Sequence, residues 1–548
     1  MTELNGGQIT ARQLVADGID TLFGVVAGPM IEVFAGASEA GLTVVGCRHE
    51  ESAAFMASAW GYAKRKPGVV VAGSGPGMTN TVTPMHVATA SSMPLVVLGG
   101  SAPSGTRGLG GFQEADQIAV AAPSCKWTGQ VDRTERTAEL VHLALGKSVS
   151  GRPGAVYLDF PGNVVARRIP EENAGLRAGV PEVARPHPDP AAVERIADLL
   201  ATAERPLVMV GKGSAWADAA GPLERLVNLG IPYVASPMGR GVIPDDNPHF
   251  VNAARSAALR GADAILMVGG RFNWIFGFGR SPSYRDGVRI AQIDVCAEEM
   301  YSAADIELGV VADAAVAAEQ LCQALDGRKL RCAGTSWLAE LGQQQEQNER
   351  AVAAAMALDD VPISPYRLVR EVRDAIGRET AISVDGETIM GICRAILPSY
   401  RVRSRLNAGT TGCMGTGVPY AIGAKLAVPE HPSVAVVGDY AFGAAAMEVE
   451  TAARIGARVV FVVANNEGIA GHLIQDRMLP PDAPRIASLL PARYEKIVEM
   501  VDGHAEFVEQ PGDIRPALLR ALAAPGVALV HVRVDPKATR LGGGSYLQ

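Results

Sequence analysis

The stretch that decides the fold is residues 433–466, SVAVVGDYAFGAAAMEVETAARIGARVVFVVANN. A β-branched apolar run at 434–437 predicts a buried strand, and a second such run at 459–463 predicts another. Between them, residues 444–455 have a helical pattern that ends at Gly456, a good C-terminal capping residue. The stretch is therefore a strand–helix–strand unit, which favours a parallel α/β sheet.

Polar side chains follow both predicted strands of this unit. Asp439 comes directly after the first strand, and Asn466 follows the second. In open parallel sheets, ligands bind at the carboxyl ends of the strands. A carboxylate and an amide oxygen brought together there suit a hard divalent cation such as Mg²⁺. Taken alone, the pair also fits an ordinary strand end and turn cap. The spacing of Asp439 and Asn466 and the other motifs of the chain must therefore decide between a cation site and a structural role.

Composition limits the classes of function. A chain of 548 residues predicts about three domains, and 20% charged residues with a net charge of −8 offer no overall basic field for nucleic acid. The seven cysteines are dispersed without metal-type spacing, which is typical of reduced thiols. The N-terminus lacks a signal-peptide pattern, and no apolar run reaches the roughly 20 residues of a membrane span. We expect a cytoplasmic protein without a nucleic-acid or membrane partner.

Strand and helix patterns alternate along the whole chain and divide it into segments. We expect three α/β domains with doubly wound parallel sheets at 1–170, 190–330 and 360–536, and a C-terminal lid tail at 537–548. A linker rich in proline and charge at 167–189 separates the first two domains. EESAAFMASAWGYAKR, in the first segment, is predicted as an amphipathic helix, and the polar stretch at 336–360 as a surface connecting helix.

Glu50 begins the helix of the first segment, where residue type alone fits a helix cap. However, GYAKRKPGVVVAGSGPG follows it, and Gly-Asp and Asn-Asn stand far downstream. Together these motifs resemble the thiamine diphosphate enzymes, apart from Tyr440, where that family has glycine. The resemblance implies the decarboxylase-type fold, with pyrimidine-binding, middle nucleotide-binding and diphosphate-binding domains. It also implies that Glu50 hydrogen-bonds the cofactor's aminopyrimidine and that the site is shared by two subunits. A homodimer is then the smallest active unit, and we expect a homotetramer.

Further residues acquire roles through this resemblance. Asp439, Asn466 and the main chain of Gly468 are expected to hold Mg²⁺, and Met414 in GCMGTG matches the wedge that bends the cofactor, although it also fits an ordinary core methionine. The residues expected to bind thiamine diphosphate are Glu50, Gly386, Glu387, Thr388, Met414, Gly438, Asp439, Tyr440, Ala441, Asn466, Gly468 and Ile469.

The middle segment narrows the resemblance to one branch. Four stretches of the chain are similar to 2-hydroxyacyl-CoA lyases and to oxalyl-CoA decarboxylases, namely GKGSAWA, GGRFNWIFGFG, QIDVCAEE and the tail DPKATR. This similarity implies a coenzyme A thioester substrate and ADP as an effector of the middle domain. The expected ADP residues are Arg152, Gly211, Lys212, Arg271 and Asp294. Arg401, Arg403 and Arg405 are candidates for the phosphates of coenzyme A, although three arginines also fit a solvated basic surface.

Residues near the reacting carbon predict the substrate. Phe112 and Gln113 stand where oxalyl-CoA decarboxylases carry Tyr-Glu, and Ala470 replaces a tyrosine of both relatives. Gly28 is also small, so the pocket should admit a larger or branched group unless His472 fills the space. His472 is a candidate acid or base or a helix-surface histidine, and Glu495 is a candidate pocket residue or a helix-face charge.

The predicted reaction is the reversible cleavage of a 2-hydroxyacyl-CoA to formyl-CoA and a ketone or aldehyde, for example 2-hydroxyisobutyryl-CoA to acetone. The alternatives are oxalyl-CoA decarboxylase, an acetolactate synthase-like enzyme, and a non-catalytic nucleotide or thiamine sensor.

Overall fold

Three parallel β-sheets follow one another along the chain in the computed structural model, which describes residues 2–181 and 183–541. Each sheet is flanked by helices, so the predicted fold class, three doubly wound α/β domains, is confirmed. The tail prediction for 537–548 falls mostly on residues 542–548, which lie outside the described residues. No helix among the described residues is long and apolar enough to cross a bilayer.

The first sheet has six parallel strands in the order β3-β2-β4-β5-β7-β6, and a separate antiparallel pair joins β1 to β8. The strands are β1 (Glu3–Asn5), β2 (Thr21–Gly24), β3 (Thr43–Gly46), β4 (Gly68–Ala72), β5 (Leu95–Ser101), β6 (Trp127–Gln130), β7 (Ala155–Pro161) and β8 (Arg168–Pro170). The helices are α1 (Gly6–Ala16), α2 (Ile31–Glu39), α3 (Glu50–Lys64), α4 (Pro76–Thr79), α5 (Val82–Ala90), α6 (Gln117–Ala121), α7 (Thr137–Val149) and α8 (Gly162–Ala166). Because β8 pairs with β1, the first residues of the predicted linker belong to this domain.

The middle sheet has five parallel strands in the order β10-β9-β11-β12-β13. Its strands are β9 (Pro206–Val210), β10 (Tyr233–Ala235), β11 (Ala264–Val268), β12 (Arg289–Asp294) and β13 (Leu308–Val311). Its helices are α9 (Pro190–Thr202), α10 (Lys212–Trp216), α11 (Ala220–Val227), α12 (Arg255–Gly261) and α13 (Ala314–Leu325). The connecting helix α14 (Trp337–Met356) follows, and it buries only Trp337 and Leu341, as a surface helix does.

The third sheet has six parallel strands in the order β15-β14-β16-β17-β19-β18. Its strands are β14 (Ala381–Asp385), β15 (Arg405–Leu406), β16 (Ser433–Gly438), β17 (Val459–Asn465), β18 (His504–Val508) and β19 (Ala528–Arg533). Its helices are α15 (Pro365–Ala375), α16 (Glu387–Ile396), α17 (Gly417–Ala427), α18 (Asp439–Gly443), α19 (Glu448–Arg454), α20 (Leu473–Arg477), α21 (Lys496–Glu499) and α22 (Ile514–Ala523). The two predicted strands of residues 433–466 are therefore present and adjacent.

The helix predicted at 444–455 is present only in part. The chain forms α18 directly after β16, turns at 444–447, and becomes helical again only in α19. The turn carries Glu448 towards the first domain, where its carboxylate accepts hydrogen bonds from the main-chain N–H groups of Arg48 and His49, each at 3.1 Å. A tertiary contact therefore overrides the local helical pattern.

The helix α3 is buried on all sides and is not amphipathic, which corrects the sequence prediction. Every residue from Ser52 to Tyr62 is buried. The helix lies between the first sheet and α17 of the third domain, and the two helices approach so closely that a β-carbon on Gly423 would lie 2.3 Å from the Met56 carbonyl oxygen. The first and third domains thus share a core interface beside Glu50.

Candidate active site

A cleft opens at the carboxyl ends of β14, β16 and β17, where ligands of open parallel sheets bind. It has an empty volume of about 560 Å³. Each of the expected cofactor residues except Glu50 lines it: Gly386, Glu387, Thr388, Met414, Gly438, Asp439, Tyr440, Ala441, Asn466, Gly468 and Ile469. Sequence reasoning missed the wall beyond β19, formed by Val534, Asp535 and Ala538, although the end of a last strand beside β17 was a usable signal.

Asp439 is the central anionic group of this cleft. Its side chain is only 1% exposed, and its two oxygens accept hydrogen bonds from the main-chain N–H groups of Tyr440 (2.7 Å) and Gly468 (3.0 Å). Burial raises the pKa of this carboxyl to about 6. The carboxylate is thus fixed in place, and a bound cation would relieve the cost of its burial.

The position of the Asn466 amide bears on whether the cleft fits a hard cation. One end of the amide lies 3.2 Å from Asp439 Oδ1 and 3.0 Å from the Gly468 carbonyl oxygen, and the other end lies 3.0 Å from the Gly471 nitrogen. Hydrogen bonding alone places the amide nitrogen towards the two oxygens. A hard cation reverses that preference, because it needs the amide oxygen there. Carboxylate, amide and carbonyl oxygens then converge, a set that fits Mg²⁺ bound partly through phosphate oxygens.

A cation site built from this oxygen set would not be a cluster of acidic, cysteine and histidine side chains. Among residues 2–181 and 183–541, no group of three or more His, Cys, Asp or Glu side chains could hold a metal ion. The cleft instead combines one carboxylate with an amide and a main-chain carbonyl. Gly468 has φ +152°, and a β-carbon there would lie 2.4 Å from the Ala487 carbonyl oxygen, so the loop needs glycine at this position.

Glu50 lies in a second cluster, at the carboxyl ends of the first sheet. Its Oε2 accepts a hydrogen bond from Asn80 Nδ2 at 3.0 Å, and a β-carbon on Gly77 would lie 3.2 Å from its Oε1. Gln113 has a left-handed backbone with φ +54°, and its Oε1 accepts a hydrogen bond from Ser74 Oγ at 2.8 Å. The Gly-Pro-Gly turn that follows β4 thus brings Glu50 and Gln113 to one edge of the sheet.

The remaining predicted pocket residues of the first domain are open to solvent. Gly28 begins a short 3-10 helix, and a β-carbon there would meet no atom within 4 Å. Phe112 is 86% exposed on the loop before Gln113. None of Gly28, Glu50, Phe112 and Gln113 is among the described residues that line the cleft of the third domain. These four residues and the cleft of the third domain are therefore two separate groups in the described part of the chain.

Neither His472 nor Glu495 is among the described residues that line the cleft of the third domain. His472 is outside the cleft wall, with its Nε2 at 3.4 Å from Glu467 Oε2, while Ala470 lines the cleft with a left-handed backbone, φ +55°. Glu495 is neither a pocket residue nor a helix-face charge: it is 2% exposed and accepts a hydrogen bond from the buried ring of His531. Sequence reasoning missed this pair, because nothing in the local pattern joins residues 36 positions apart.

A larger cleft lies between the middle sheet and the first domain, with an empty volume of about 1040 Å³. Four of the residues that were predicted to bind ADP line it: Arg152, Lys212, Arg271 and Asp294. Gly211 does not line it but allows close packing, since a β-carbon there would lie 2.1 Å from the Gly269 carbonyl oxygen.

The charges of this second cleft are partly matched within the chain. Arg152 and Arg271 both face Glu299, a residue that sequence reasoning missed. Lys212 donates hydrogen bonds to the carbonyl oxygens of Ser91 and Ser92, and desolvation and the nearby Arg271 lower the pKa of its ammonium well below the usual value. Burial raises the pKa of the Asp294 carboxyl to about 6.

The three arginines expected near coenzyme A lie away from both clefts. Arg405 is buried and donates to the carbonyl oxygens of Cys393 and Leu397, so its charge supports the fold and is not offered to a phosphate, which corrects the expectation for this residue. Arg403 pairs with Asp218, and Arg401 pairs with Glu379 at 3.0 Å.

Comparison with known proteins places all three domains. Models of the thiamine pyrophosphate enzymes match residues 4–120 (N-terminal TPP binding domain), 193–321 (central domain) and 386–532 (C-terminal TPP binding domain). The chain is 35% identical to a 2-hydroxyacyl-CoA lyase of Oryza sativa subsp. japonica, over 98% of this chain and 96% of the relative. It is 33% identical to an acetolactate synthase large subunit of Mycobacterium tuberculosis, over 97% and 96%. It is 32% identical to the oxalyl-CoA decarboxylase of Escherichia coli K12, over 97% and 95%.

Proposed function

The chain belongs to the thiamine pyrophosphate enzymes, and we propose that it is a carbon–carbon lyase that cleaves a 2-hydroxyacyl-CoA thioester to formyl-CoA and a ketone or aldehyde. The observation that carries this proposal is the convergence of the Asp439 carboxylate, the Gly468 carbonyl and one end of the Asn466 amide in a cleft lined by the residues expected for thiamine diphosphate. The rice 2-hydroxyacyl-CoA lyase, similar along nearly its whole length, supports the choice of branch.

Different residues of the cleft would bind the cation and the diphosphate of the cofactor. Asp439, Asn466 and the Gly468 carbonyl would bind Mg²⁺, and the main chain around Gly386 and Tyr440 would face the diphosphate. When bound, thiamine diphosphate supplies the carbon nucleophile and takes up the electrons of the broken bond. The protein's part is to position the substrate, exclude water and move protons.

Glu50 is proposed as the group that exchanges a proton with the cofactor's pyrimidine ring, through its half-buried carboxyl. Because Glu50 does not line the cation cleft of its own chain, we propose that the Glu50 of a second copy completes each site. Exposed apolar side chains beside both groups of residues support this arrangement, since Met414 is 42% exposed and Ile31 is 54% exposed. The smallest active unit is then a homodimer, and a homotetramer is the expected assembly.

Two residues favour a branched 2-hydroxyacyl group. Ala470 places only a methyl group in the cleft wall, and Gly28 leaves open space around its Cα. Gln113 can donate from its amide nitrogen to a substrate hydroxyl or carbonyl, because its oxygen already accepts from Ser74. We therefore propose 2-hydroxyisobutyryl-CoA, which yields formyl-CoA and acetone, as a representative substrate.

The larger cleft of the middle domain is proposed to bind ADP as an effector. Arg152 and Arg271 supply cations for phosphates, Lys212 lies in the wall of the same cleft, and Asp294 stands at the end of β12, where a carboxylate can accept from ribose hydroxyls. Binding would displace Glu299 from its present contacts with the two arginines.

One assay separates the candidate reactions. The protein is incubated with thiamine diphosphate, Mg²⁺ and one substrate at a time: a panel of 2-hydroxyacyl-CoA thioesters, oxalyl-CoA and pyruvate. The proposal predicts formyl-CoA with a ketone or aldehyde. Formyl-CoA with CO₂ would establish an oxalyl-CoA decarboxylase instead, and acetolactate from pyruvate would establish an acetolactate synthase.

The same assay, applied to Glu50→Gln, addresses the sensor alternative. The lyase predicts that this variant binds thiamine diphosphate but loses most turnover. A parent protein that binds the cofactor and nucleotide yet turns over none of the substrates would favour a sensor.

A further inference from the structure

A buried chain of three side chains lies beneath the cation loop, residues 465–468. Asn465 ends β17, His531 lies on the neighbouring β19, and Glu495 precedes α21. His531 is fully buried, and the other two are each 2% exposed. The Asn465 Nδ2 to His531 Nε2 distance is 2.9 Å, and the His531 Nδ1 to Glu495 Oε2 distance is 2.7 Å. Neither Glu495 nor His531 lines either cleft, so the proposed catalysis does not use them.

The contacts of these three side chains determine which atom donates and which accepts in each hydrogen bond between them. The main-chain N–H of Glu467 donates to Asn465 Oδ1 at 3.0 Å, so the amide oxygen of Asn465 must face Glu467. Its nitrogen then donates to His531 Nε2, which must be unprotonated. The ring proton is therefore on Nδ1 and is donated to Glu495, whose other oxygen accepts from Arg493. His531 acts here as a neutral imidazole with one acceptor and one donor.

The surrounding aromatic rings hold this chain rigidly. Tyr494 packs edge-on against His531 with ring centroids 5.5 Å apart, and Phe507 packs on it at 4.9 Å. Arg493 in turn lies over the Phe507 ring. The imidazole cannot rotate without disturbing these contacts, so it offers a fixed acceptor to Asn465.

Asn465 connects the fixed imidazole of His531 to the loop that carries the proposed cation ligands. It directly precedes Asn466, and its oxygen holds the N–H of Glu467, a residue with a left-handed backbone of φ +59°. Asn466 and Gly468 thus stand on a loop whose first peptide groups are fixed by Asn465. We infer that His531 and Glu495 are positioning residues for the Mg²⁺-binding loop, acting through Asn465. This inference rests on the proposed cation site.

The test compares cation affinity across matched variants. His531→Phe removes both hydrogen bonds. His531→Gln keeps an acceptor for Asn465 and a donor for Glu495, and should rescue the loop. His504→Phe is the control, because His504 contacts Glu506 at 2.8 Å in the same sheet but does not touch the loop. Mn²⁺ binding is measured by electron paramagnetic resonance of the free ion at saturating thiamine diphosphate, with the thermal midpoint of the ligand-free protein recorded alongside.

We expect His531→Phe to weaken Mn²⁺ binding by about tenfold or more, the usual effect of removing an outer-shell partner. His531→Gln and His504→Phe should stay close to the parent. If His531→Phe does not fold, Glu495→Gln is used in its place. Glutamine offers one oxygen, whereas Glu495 accepts hydrogen bonds from both Arg493 and His531. Mn²⁺ affinity should therefore still fall several-fold.

Each outcome has a distinct meaning. Folded His531→Phe or Glu495→Gln with parental Mn²⁺ affinity would overturn the positioning role and leave the cation site intact. Equal losses in His531→Phe and His531→Gln would also overturn it, because the hydrogen bonds would then not be the cause. A parent protein that binds no Mn²⁺ with thiamine diphosphate would overturn the proposed function itself.

Discussion

Ala470 is the residue on which the proposed preference for a branched substrate depends most. It lines the cation cleft with a left-handed backbone (φ +55°), just past the loop that holds Asn466 and Gly468. In the left-handed backbone region, tyrosine has a conformational free-energy cost similar to that of alanine. The backbone conformation therefore does not require a small side chain at position 470. The reason for alanine is better sought in the space that it leaves for the substrate.

We predict that Ala470→Tyr lowers kcat/KM for 2-hydroxyisobutyryl-CoA by at least about tenfold, because the ring fills the space for the second methyl group. A straight-chain 2-hydroxyacyl-CoA should be affected much less. Steady-state kinetics with both substrates measures the ratio, and unchanged thiamine diphosphate affinity serves as the control. Equal cleavage of branched substrate by the variant and the parent would show that Ala470 does not set the room in the pocket.

Asp294 gives the proposed ADP site a pH dependence. Burial raises the pKa of its carboxyl to about 6, so the group is ionised at pH 7.5 and largely protonated at pH 5. Because the carboxylate is the better acceptor for ribose hydroxyls, ADP affinity should fall as pH drops through 6. Calorimetric titration at both pH values should show this fall in the parent. A variant, Asp294→Asn, should bind ADP more weakly and lose that part of the pH dependence; an unchanged pH profile would remove Asp294 from the site.

At this scale the sequence predicts polar residues at strand ends but not side chains that meet through the core. Asp439 and Asn466 could be located because each follows a recognisable buried strand. Glu495 could not, because its role depends on His531, which stands inside a strand and has no local mark of function. The contact exists only after β17 and β19 have paired.

Among the elements, Asp385 joins two loops of the cleft. It ends β14 and is 4% exposed. Its Oδ1 accepts from the N–H of Gly386 at 2.7 Å, and its Oδ2 accepts from the N–H of Gly417 at 2.9 Å. The first of these loops leads into α16, and the second follows Met414 and leads into α17. A single buried carboxylate therefore sets the spacing between the expected diphosphate loop and the expected wedge.

We predict that Asp385→Asn lowers the free energy of unfolding by about 1–3 kcal/mol, because one amide nitrogen must face a buried N–H donor. It should also weaken thiamine diphosphate binding. Denaturant unfolding and cofactor titration measure the two effects, with Asp374→Asn on the neighbouring α15 as a matched surface control. Unchanged stability would mean that the two loops hold their spacing without Asp385.

The same residue fixes the sign of a pH effect on the ligand-free protein. Burial raises the pKa of the Asp385 carboxyl to about 6, above its ordinary value of 3.8. Folding therefore favours the protonated form, and this contribution is present in full below pH 3.8 and lost as pH rises through 6. Asp385 thus makes the apo protein less stable across that window as pH increases.

Helix boundaries were the weaker part of the prediction at the element scale. The alanine-rich run at 444–447 has good helix propensity, yet it turns so that Glu448 can reach the main chain of Arg48 and His49. Likewise, α3 was expected to have a polar face, and it is buried because α17 covers it. In both cases the determining contact joins the first and third domains, beyond the range of any local pattern.

At the scale of the whole molecule, the two groups of residues proposed to form one site belong to opposite ends of the chain, and the group of Glu50 does not line the cleft of Asp439. Glu50 and Gln113 lie at the edge of the first sheet, whereas Asp439 and Asn466 lie at the edge of the third. The three-domain architecture was predictable, because strand and helix patterns alternate throughout. The separation within one chain was not predictable from pattern alone, since local patterns do not determine which sheet edges meet.

The central claim is that one thiamine site is formed by the Glu50 end of one copy and the Asp439 end of another. The most direct test co-expresses Glu50→Gln and Asp439→Asn chains carrying different tags and measures lyase activity. Each variant alone should be nearly inactive. Random assembly of dimers should restore about a quarter of the parental activity, because half of the dimers are mixed and each mixed dimer regains one intact site of two. Activity of the mixture no higher than that of the separate variants would contradict the shared site.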